Sequence, residues 1–328
     1  MDRRIFIKGA AGTLMGLAAG DLGSVSAQTR ASGMKARVAL VKGKDRPAAI
    51  ERAVNLLGIN PVKGKDVLLK PNFNTADPFP ASTHTETLIT LINKLKNMGA
   101  ASITIGERCG PPATADVMKA MGTDKICREH GIGLINFEEL PEEKWIRVNP
   151  PGSHWRSGFD VAKPILDSSC IVSTCCLKTH RYGGVFTMSL KLSVGITHKR
   201  NMGELHGSGH NMRKMIAEIN QVYHPSLILM DGMEVFTDGG PMTGELKRAD
   251  MVLAGTDRIA MDAVGLAVLK LLGSNDKIMH TKIFDQEQIA RAVELKLGID
   301  RPENIEIITD DDKGAGYGGR LQEILLRG

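Results

Sequence analysis

The middle of the sequence carries side chains that could bind an anion and transfer a proton. An apolar run at residues 170–175 is followed by Lys178, Thr179 and His180. Residues two apart in an extended segment point to the same side, so Lys178 and His180 are expected to face a common ligand. A cation beside an imidazole suits an anion or a carbonyl oxygen, with the imidazole as a general acid or base. The alternative is a strand end solvated by ordinary polar residues.

Further polar residues follow other predicted strands. Those strands cover residues 66–69, 102–105 and 227–230, and the polar residues at their ends are Lys70, Asn72, Glu107 and Asp231. In an open parallel sheet, ligands bind in the crevice beyond the carboxyl ends of the strands. We therefore predict one site there, with catalytic residues Lys178, His180, Lys191 and Glu107 and substrate-binding residues Lys70, Asn72 and Asp231. In this site Lys178 and Lys191 would stabilise developing negative charge and His180 would transfer a proton.

Two glycine-bearing loops border these residues. Gly183 and Gly184 precede Lys191 and would let that loop close over a ligand. Gly240 and Gly244 lie in a tight loop whose backbone N–H groups are expected to contribute to substrate binding. This loop lacks the lysine and the spacing of a phosphate-binding P-loop, so it does not indicate a nucleotide.

Three histidines, His198, His206 and His210, form a second cluster. His206 and His210 have the four-residue spacing of metal ligands on a helix, but Gly207 and Gly209 disfavour a helix there. As loop ligands, the three imidazoles could hold a transition metal through neutral nitrogens. The alternative is a polar surface loop.

The thiols and one buried carboxyl are expected to be mainly structural. Cys175 and Cys176 are neighbours on a predicted strand, so their side chains point to opposite faces and are unsuited to sharing one ion. We interpret Cys175 as a buried thiol and Cys176, at the strand end, as the more reactive candidate. Asp262 lies in an apolar helical segment, where we expect it to accept a hydrogen bond from a neighbouring loop.

The first residues are typical of an export signal. Arg3 and Arg4 precede a short apolar stretch rich in small residues, which ends near Ala27. The paired arginines followed by Ile-Phe-Ile-Lys resemble the bacterial twin-arginine signal. We predict a signal peptide over residues 1–27, a linker over 28–35 and delivery to the periplasm by the twin-arginine machinery. The alternative is an uncleaved anchor, and membrane contact is expected only through this segment.

Composition and element order indicate one globular domain. With 328 residues, 42% apolar content and a net charge of +5, the chain can build a sizeable core, and its charge is too weak to indicate nucleic acid binding. Strands alternate with helices, which predicts an α/β fold with a mostly parallel sheet and helices on both faces. We expect this domain to span residues 36–328. Residues 138–159, with two tryptophans and three prolines, are expected to form an irregular insertion.

An ordered set of short motifs runs through the chain. It comprises Lys70-Pro71-Asn72, Lys178-Thr179-His180, Leu190-Lys191 with Gly195, Asp231-Gly232, Gly240-Pro241 with Gly244, and Thr256-Asp257 with Ala260 and Asp262. These motifs resemble the bacterial and archaeal family called domain of unknown function 362. The resemblance implies an α/β fold, frequent twin-arginine signals and, in many members, a ferredoxin-type cysteine cluster. This chain has no C-x-x-C-x-x-C run, so we expect no iron–sulfur cluster of that type, and Leu192 replaces the asparagine usual in the family.

Two classes of function are compatible with these features. The first is an exported enzyme acting on a small anionic or carbonyl-bearing substrate, with assistance from a metal in the histidine loop. The second is a non-catalytic metal or ligand carrier of the cell envelope. A pocket shared by Lys70, Lys178 and Lys191 would favour the enzyme, whereas lysines on separate surfaces would remove its basis.

Overall fold

The computed structural model describes residues 35–328, so the predicted signal peptide and nearly all of the predicted linker lie outside the described residues. The strands in this part of the chain are β1 (Ala36–Lys42), β2 (Asp66–Lys70), β3 (Ser102–Glu107), β4 (Gly133–Asn136), β5 (Trp145–Val148), β6 (Phe159–Ala162), β7 (Ile171–His180), β8 (Val185–Thr187), β9 (Leu227–Gly239), β10 (Gly244–Gly255) and β11 (Ile305–Ile308). Short 3-10 turns connect several elements.

The helices are α1 (Arg46–Leu56), α2 (Thr85–Asn97), α3 (Thr114–Ala120), α4 (Thr123–His130), α5 (Lys163–Asp167), α6 (Ser189–Leu192), α7 (Met202–Gly207), α8 (Met212–Ile219), α9 (Arg258–Leu272), α10 (Asp276–Met279), α11 (Glu287–Glu294) and α12 (Asp312–Arg327). None of these helices is long and apolar enough to cross a membrane. The α/β class expected from the sequence is confirmed.

Nine strands form one mixed sheet, in which eight follow the order β11-β1-β10-β9-β7-β2-β3-β4 and β8 pairs with β7. Five pairings are parallel, including β7 with β2 and β2 with β3. The antiparallel pairings are β1 with β10, β10 with β9 and β7 with β8. The prediction of a mostly parallel sheet is therefore confirmed. Because β7, β2 and β3 are parallel neighbours, their carboxyl ends share one edge of the sheet.

Alternating side chains of the sheet pack against helices on its two faces. In β1, Val38 and Leu40 join a core with residues of α9 and α12. Ala39 and Val41 join a second core with residues of α1 and α2. This alternation is what a strand covered on both faces requires, and the predicted two-faced packing is confirmed.

The expected insertion contributes strand β5 to a small β-structure whose second strand, β6, begins at Phe159 and continues past the predicted end of the insertion. Strands β5 and β6 pair with each other in a separate two-stranded sheet. Trp145 and Phe159 from these strands pack in a third core with Met215 and Ile216 of α8. The insertion is thus fixed to the domain by aromatic burial.

Several elements extend beyond the lengths predicted from the sequence. The apolar run at residues 170–175 covers only the first part of β7, which continues to His180. The predicted strand at residues 227–230 is only the start of β9, which has 13 residues and pairs with the 12-residue strand β10. Helix α12 was not predicted because its glycines, at positions 314, 316, 318 and 319, have low helix propensity.

Glu218, a fully buried residue of α8, ties the insertion to α11. Its carboxylate accepts hydrogen bonds from the Ser153 hydroxyl at 3.0 Å and from the His154 backbone N–H at 2.9 Å. It also forms a salt bridge with Arg291 at 2.9 Å. A buried carboxylate with several donors is stable only while those donors remain in place.

We expect Glu218→Gln to lower the free energy of unfolding by about 1–3 kcal/mol, since an amide offers fewer acceptor positions and no charge. Glu294→Gln is the matched control, because Glu294 pairs with the same Arg291 at 2.9 Å but is 64% exposed. The control should change stability by less than about 0.5 kcal/mol. Chemical denaturation measures both, and equal losses in the two variants would contradict the role assigned to Glu218.

Candidate functional site

A cavity of about 840 Å³ lies where three parallel strands end. Lys70 is the last residue of β2, Glu107 the last of β3 and His180 the last of β7, and all three line the cavity. Residues of α6 and α7 form another part of the cavity wall, together with Pro241 and Met242 at the tip of the β9–β10 hairpin. The position agrees with the rule that ligands bind beyond strand carboxyl ends.

The cavity brings together most of the predicted site residues. Those that line it are Lys70, Asn72, Glu107, Lys178, His180, Lys191 and His206. Those that do not are Asp231, Gly240, Gly244, His198 and His210. Sequence reasoning also missed five polar lining residues, which are Asn74, Arg108, Tyr182, Thr187 and Lys199. Arg108 directly follows Glu107 at a strand end and was recognisable on that ground, whereas no local pattern marks the other four.

Lys70 and Glu107 form a buried salt bridge with 2.6 Å between Nζ and Oε1. Glu107 also accepts the backbone N–H groups of Phe73 and Arg108, each at 2.9 Å. Burial lowers the pKa of Lys70 and raises the pKa of Glu107, while their mutual attraction opposes both shifts. Three donors on one carboxylate favour the ionised pair.

Gly195 packs directly over this salt bridge. A Cβ atom at Gly195 would lie 2.6 Å from Glu107 Oε1 and 2.7 Å from Lys70 Nζ. Real Cβ atoms do not approach other atoms so closely, so any larger residue must displace the pair. Position 195 therefore requires glycine, because the Lys70–Glu107 pair leaves no room for a Cβ atom there.

Lys178 is fully buried and belongs to a strongly cationic lining. Its amine donates a hydrogen bond to the backbone carbonyl of Ala81, and it forms no salt bridge with any residue from 35 to 328. Burial lowers the pKa of Lys178. Over the whole lining, five lysine and arginine residues face one carboxylate, that of Glu107. An excess of positive charge in a cavity attracts an anion.

Lys191 is positioned by a buried carboxylate behind it. Asp262 accepts the backbone N–H groups of Ser189 at 2.7 Å and Leu190 at 3.0 Å, which fixes the first turn of α6. The structural hydrogen bond expected for Asp262 is confirmed, and burial raises its pKa to about 7. Burial and the charges of Lys178 and Arg108 lower the pKa of Lys191 to about 7.

His180 lies beside Lys191, with Gly184 leaving room for both. A Cβ at Gly184 would lie 2.9 Å from His180 Nδ1 and 2.9 Å from Lys191 Cε. The separation between His180 Nδ1 and Lys191 Cε is therefore at most about twice 2.9 Å. Burial, followed by the charges of Lys191 and Lys178, lowers the pKa of His180 to about 2. The imidazole is therefore neutral at pH 7 and is better suited to forming hydrogen bonds than to accepting a proton.

Three buried polar atoms of the lining have no hydrogen-bond partner within the described chain. They are Asn72 Oδ1, His180 Nδ1 and Thr187 Oγ1. Buried polar groups are normally paired, so these atoms are available to a polar ligand. An amide oxygen accepts and a hydroxyl can donate, so the ligand that satisfies them carries both kinds of group.

Asp231 lies away from the cavity because β9 does not end there. The strand continues for eight residues, to Gly239. The Asp231 carboxylate accepts hydrogen bonds from Arg46 Nε at 3.0 Å, from the Met233 backbone N–H at 3.0 Å and from the Thr87 hydroxyl. These contacts give Asp231 a structural role between the sheet and the helices α1 and α2.

The glycines of the β9–β10 turn have packing roles. Gly240 has φ of +63°, and a Cβ there would lie 2.0 Å from the Thr179 carbonyl oxygen. Its N–H donates to the Thr243 carbonyl at 2.8 Å, so this amide is not available to a substrate. A Cβ at Gly244 would lie 2.2 Å from the Asp238 carbonyl oxygen. Arg181 Nε donates to the Gly240 carbonyl at 3.1 Å and holds the turn beside β7.

The three histidines of the predicted metal site face different surroundings. His198 packs edge-on against Trp145 at 4.6 Å between ring centroids, and its Nδ1 accepts the Arg200 backbone N–H at 2.9 Å. His206 and His210 are exposed, and only His206 lines the cavity. Within residues 35–328, no three His, Cys, Asp or Glu side chains are grouped so as to hold a metal ion.

The cysteines are all buried and unpaired. Burial raises the pKa of Cys176 to about 12, because a thiolate in this environment is poorly solvated. The expectation that Cys176 lies at a strand end is wrong, because it is buried inside β7. Cys175 packs in the core beside α9, as expected.

Comparison with known proteins agrees with the motifs. The family described as "Domain of unknown function (DUF362)" matches residues 67–267. The chain belongs to the DUF362 family. No curated protein sequence matches it. Among solved structures, the chain is similar to the lactate racemase apoprotein from Thermoanaerobacterium thermosaccharolyticum, with 13% sequence identity, a TM-score of 0.45, and coverage of 89% of this chain and 87% of that one.

In this DUF362 chain, we expect Gly195→Ala to lower the free energy of unfolding by about 1–3 kcal/mol, since the added methyl group overpacks the Lys70–Glu107 pair. Gly203→Ala is the matched control, because Gly203 also lines the cavity but a Cβ there meets nothing within 4 Å. The control should leave stability unchanged or slightly higher. Urea denaturation measures the free energy of unfolding of both variants. A Gly195→Ala protein as stable as the control would show that the Lys70–Glu107 pair tolerates displacement.

Proposed function

We propose that this DUF362 protein is an enzyme acting on a small anionic or carbonyl-bearing substrate in the cavity at the ends of β2, β3 and β7. The observation that carries the proposal is the charge of the lining, in which five lysine and arginine residues face one carboxylate and, within the described chain, only Lys199 has a further carboxylate partner, Glu138, outside the lining. The carboxylate of Glu107 already neutralises Lys70. An anionic ligand is therefore the natural partner of the remaining positive charge.

Lys178 is the proposed anion-binding group. Its amine is fully buried, donates to one backbone carbonyl and has no carboxylate partner in the described chain. A buried cation without a counter-ion is unfavourable, and an entering carboxylate or oxyanion would relieve this cost. Thr187 would donate a hydrogen bond to the same ligand through a hydroxyl that lacks a protein partner, whereas Asn72 Oδ1 would accept one only from a donor group elsewhere on the ligand.

Lys191 is the proposed group that changes protonation state during reaction. The sequence predicts His180 for this role, but an imidazole with a pKa of about 2 is a very weak base. Acid–base catalysis is most efficient when the pKa of the catalytic group lies near the working pH, and the pKa of Lys191 is about 7. His180 would instead form a hydrogen bond to the substrate oxygen as a neutral imidazole.

The enzyme is preferred over a binding protein for one physical reason. A carrier needs cations to hold its ligand, but it has no use for an amine that titrates at neutral pH. Perturbed pKa values in a cavity are typical of catalytic sites. The histidine loop does not enter the proposal, because His198 and His210 lie away from the cavity.

The proposal predicts that Lys178→Met weakens anion binding by about 10- to 100-fold, since a hydrogen bond to a charged group contributes about 1.5–3 kcal/mol. The probes are acetate, lactate, pyruvate and malonate, each titrated while the thermal unfolding midpoint is recorded. We expect the wild-type protein to be stabilised by at least one of them.

Lys125→Met is the control for net charge, because Lys125 is 73% exposed on α4 and far less constrained than Lys178. It should bind the same anions as the wild-type protein. If none of the four anions raises the wild-type midpoint, or if both variants respond equally, the cavity is not the anion site that we propose.

We also propose that the protein is exported by the twin-arginine route. Support comes from Arg3 and Arg4, the Ile-Phe-Ile-Lys sequence after them and the apolar, small-residue stretch that follows. This segment would also be the protein's contact with the membrane and with the export machinery.

For export, we expect replacement of both Arg3 and Arg4 by lysine to retain the protein in the cytoplasm, because the twin-arginine machinery recognises the arginine pair. Cell fractionation and immunoblotting of the full chain measure the distribution. Replacement of Arg37, which lies beyond the signal, by lysine is the control and should not change delivery. Periplasmic delivery of the doubly substituted protein would argue for another route.

A further inference from the structure

We propose that Lys191 forms an imine with the carbonyl carbon of a small 2-oxo acid whose carboxylate is bound by Lys178. This inference rests on the proposed function and specifies its substrate class. It assigns a covalent step to the amine of Lys191 and an electrostatic role to the amine of Lys178.

Lys191 is distinguished from the other cavity lysines by its lack of partners. Lys70 is paired with Glu107 at 2.6 Å, and Lys199 is paired with Glu138 at 2.6 Å. The amine of Lys178 donates to a backbone carbonyl. The side-chain amine of Lys191 makes no hydrogen bond or salt bridge within the described chain, although Lys191 lines the cavity. Its nitrogen is therefore free to approach a ligand.

The surroundings of Lys191 are those of an amine nucleophile. It is half-buried, and the positive charges of Lys178 and Arg108 disfavour its protonated form. Lysines that form imines are activated in this way, by desolvation or by a neighbouring cation. At neutral pH a substantial fraction of the amine carries the lone pair that attacks a carbonyl carbon.

Two lysines of the cavity with different roles define the ligand, and Lys178 lies close enough for its charge to lower the pKa of Lys191. Lys178 remains a donor and suits a carboxylate, while Lys191 needs an electrophilic carbon close by. The smallest molecule that meets both requirements has a carbonyl next to a carboxylate, which is a 2-oxo acid. His180, with Nδ1 unpartnered beside Lys191, can hydrogen-bond the carbonyl oxygen.

The step balances without an oxidant or a reductant. The nitrogen of neutral Lys191 forms a bond to the carbonyl carbon, and a carbinolamine results after one amine proton moves to the oxygen. The carbon–oxygen bond then breaks, and the oxygen leaves as water with that proton and one proton from solvent. The product is a protonated imine that keeps the second amine proton.

The test is reductive trapping of the full chain with pyruvate and sodium cyanoborohydride at pH 7, followed by intact-mass measurement and peptide mapping. We expect one reduced pyruvate adduct, on Lys191, with a rate that rises with pH and is half-maximal near 7. Exposed lysines, with an ordinary pKa of about 10.4, should react much more slowly at this pH.

Lys191→Arg keeps the positive charge but cannot form the imine, so it should give no adduct at this site. Lys191→Met is a second variant in case arginine does not fit, and the thermal midpoint reports whether each protein is folded. Lys125→Arg, on the exposed face of α4, should be labelled like the wild-type protein. Lys178→Met should label about tenfold more slowly or worse, because the carboxylate loses its anchor.

Calorimetric titration with pyruvate separates failure of the imine from failure of the anion site. Heat of binding without an adduct on Lys191 rejects the imine and leaves the anion site intact. Adducts spread evenly over exposed lysines also reject the imine. If there is neither heat nor adduct, the imine with this substrate class is rejected, and the titrations with acetate, lactate and malonate decide the proposed function.

Discussion

The buried salt bridge between Lys70 and Glu107 is the contact on which the site depends. It joins the ends of the adjacent parallel strands β2 and β3, with 2.6 Å between the charged atoms. Gly195 packs on the pair, and this brings the 3-10 turn Ser193–Ile196 against the sheet. That turn directly follows α6, the helix that carries Lys191. Loss of either charge would leave the other buried without a partner and would disturb the reactive lysine as well.

The remaining charges of the cavity are left unbalanced, and this imbalance adds to the effect of burial on two of its groups. Burial disfavours the protonated forms of Lys191 and His180, and the positive charges near them lower both pKa values further. A protein selected for stability alone would pair or remove these cations. Their retention in a cavity is typical of sites where stability is given up for function.

Much of the fold and part of the site were predictable because the information is local. Buried apolar runs ending in polar residues correctly identified Lys70, Glu107 and Lys178 as neighbours at one edge, since parallel strands align their ends. The same reasoning failed for Asp231, because the apolar run at residues 227–230 does not reveal that β9 continues through polar residues to Gly239. The contact of Gly195 with the salt bridge joins residues 88 or more positions apart in the chain, and no local pattern encodes it.

The tip of the β9–β10 hairpin helps to shape the cavity but contributes none of its charged groups. Its two strands run through the middle of the sheet, but only Pro241 and Met242 at its tip reach the cavity. The lysines come from other elements, so the side chains of Pro241 and Met242 can vary without moving them. Relatives could therefore diverge in the size of molecule they accept by changing this tip, while keeping the same charged framework and the same reaction.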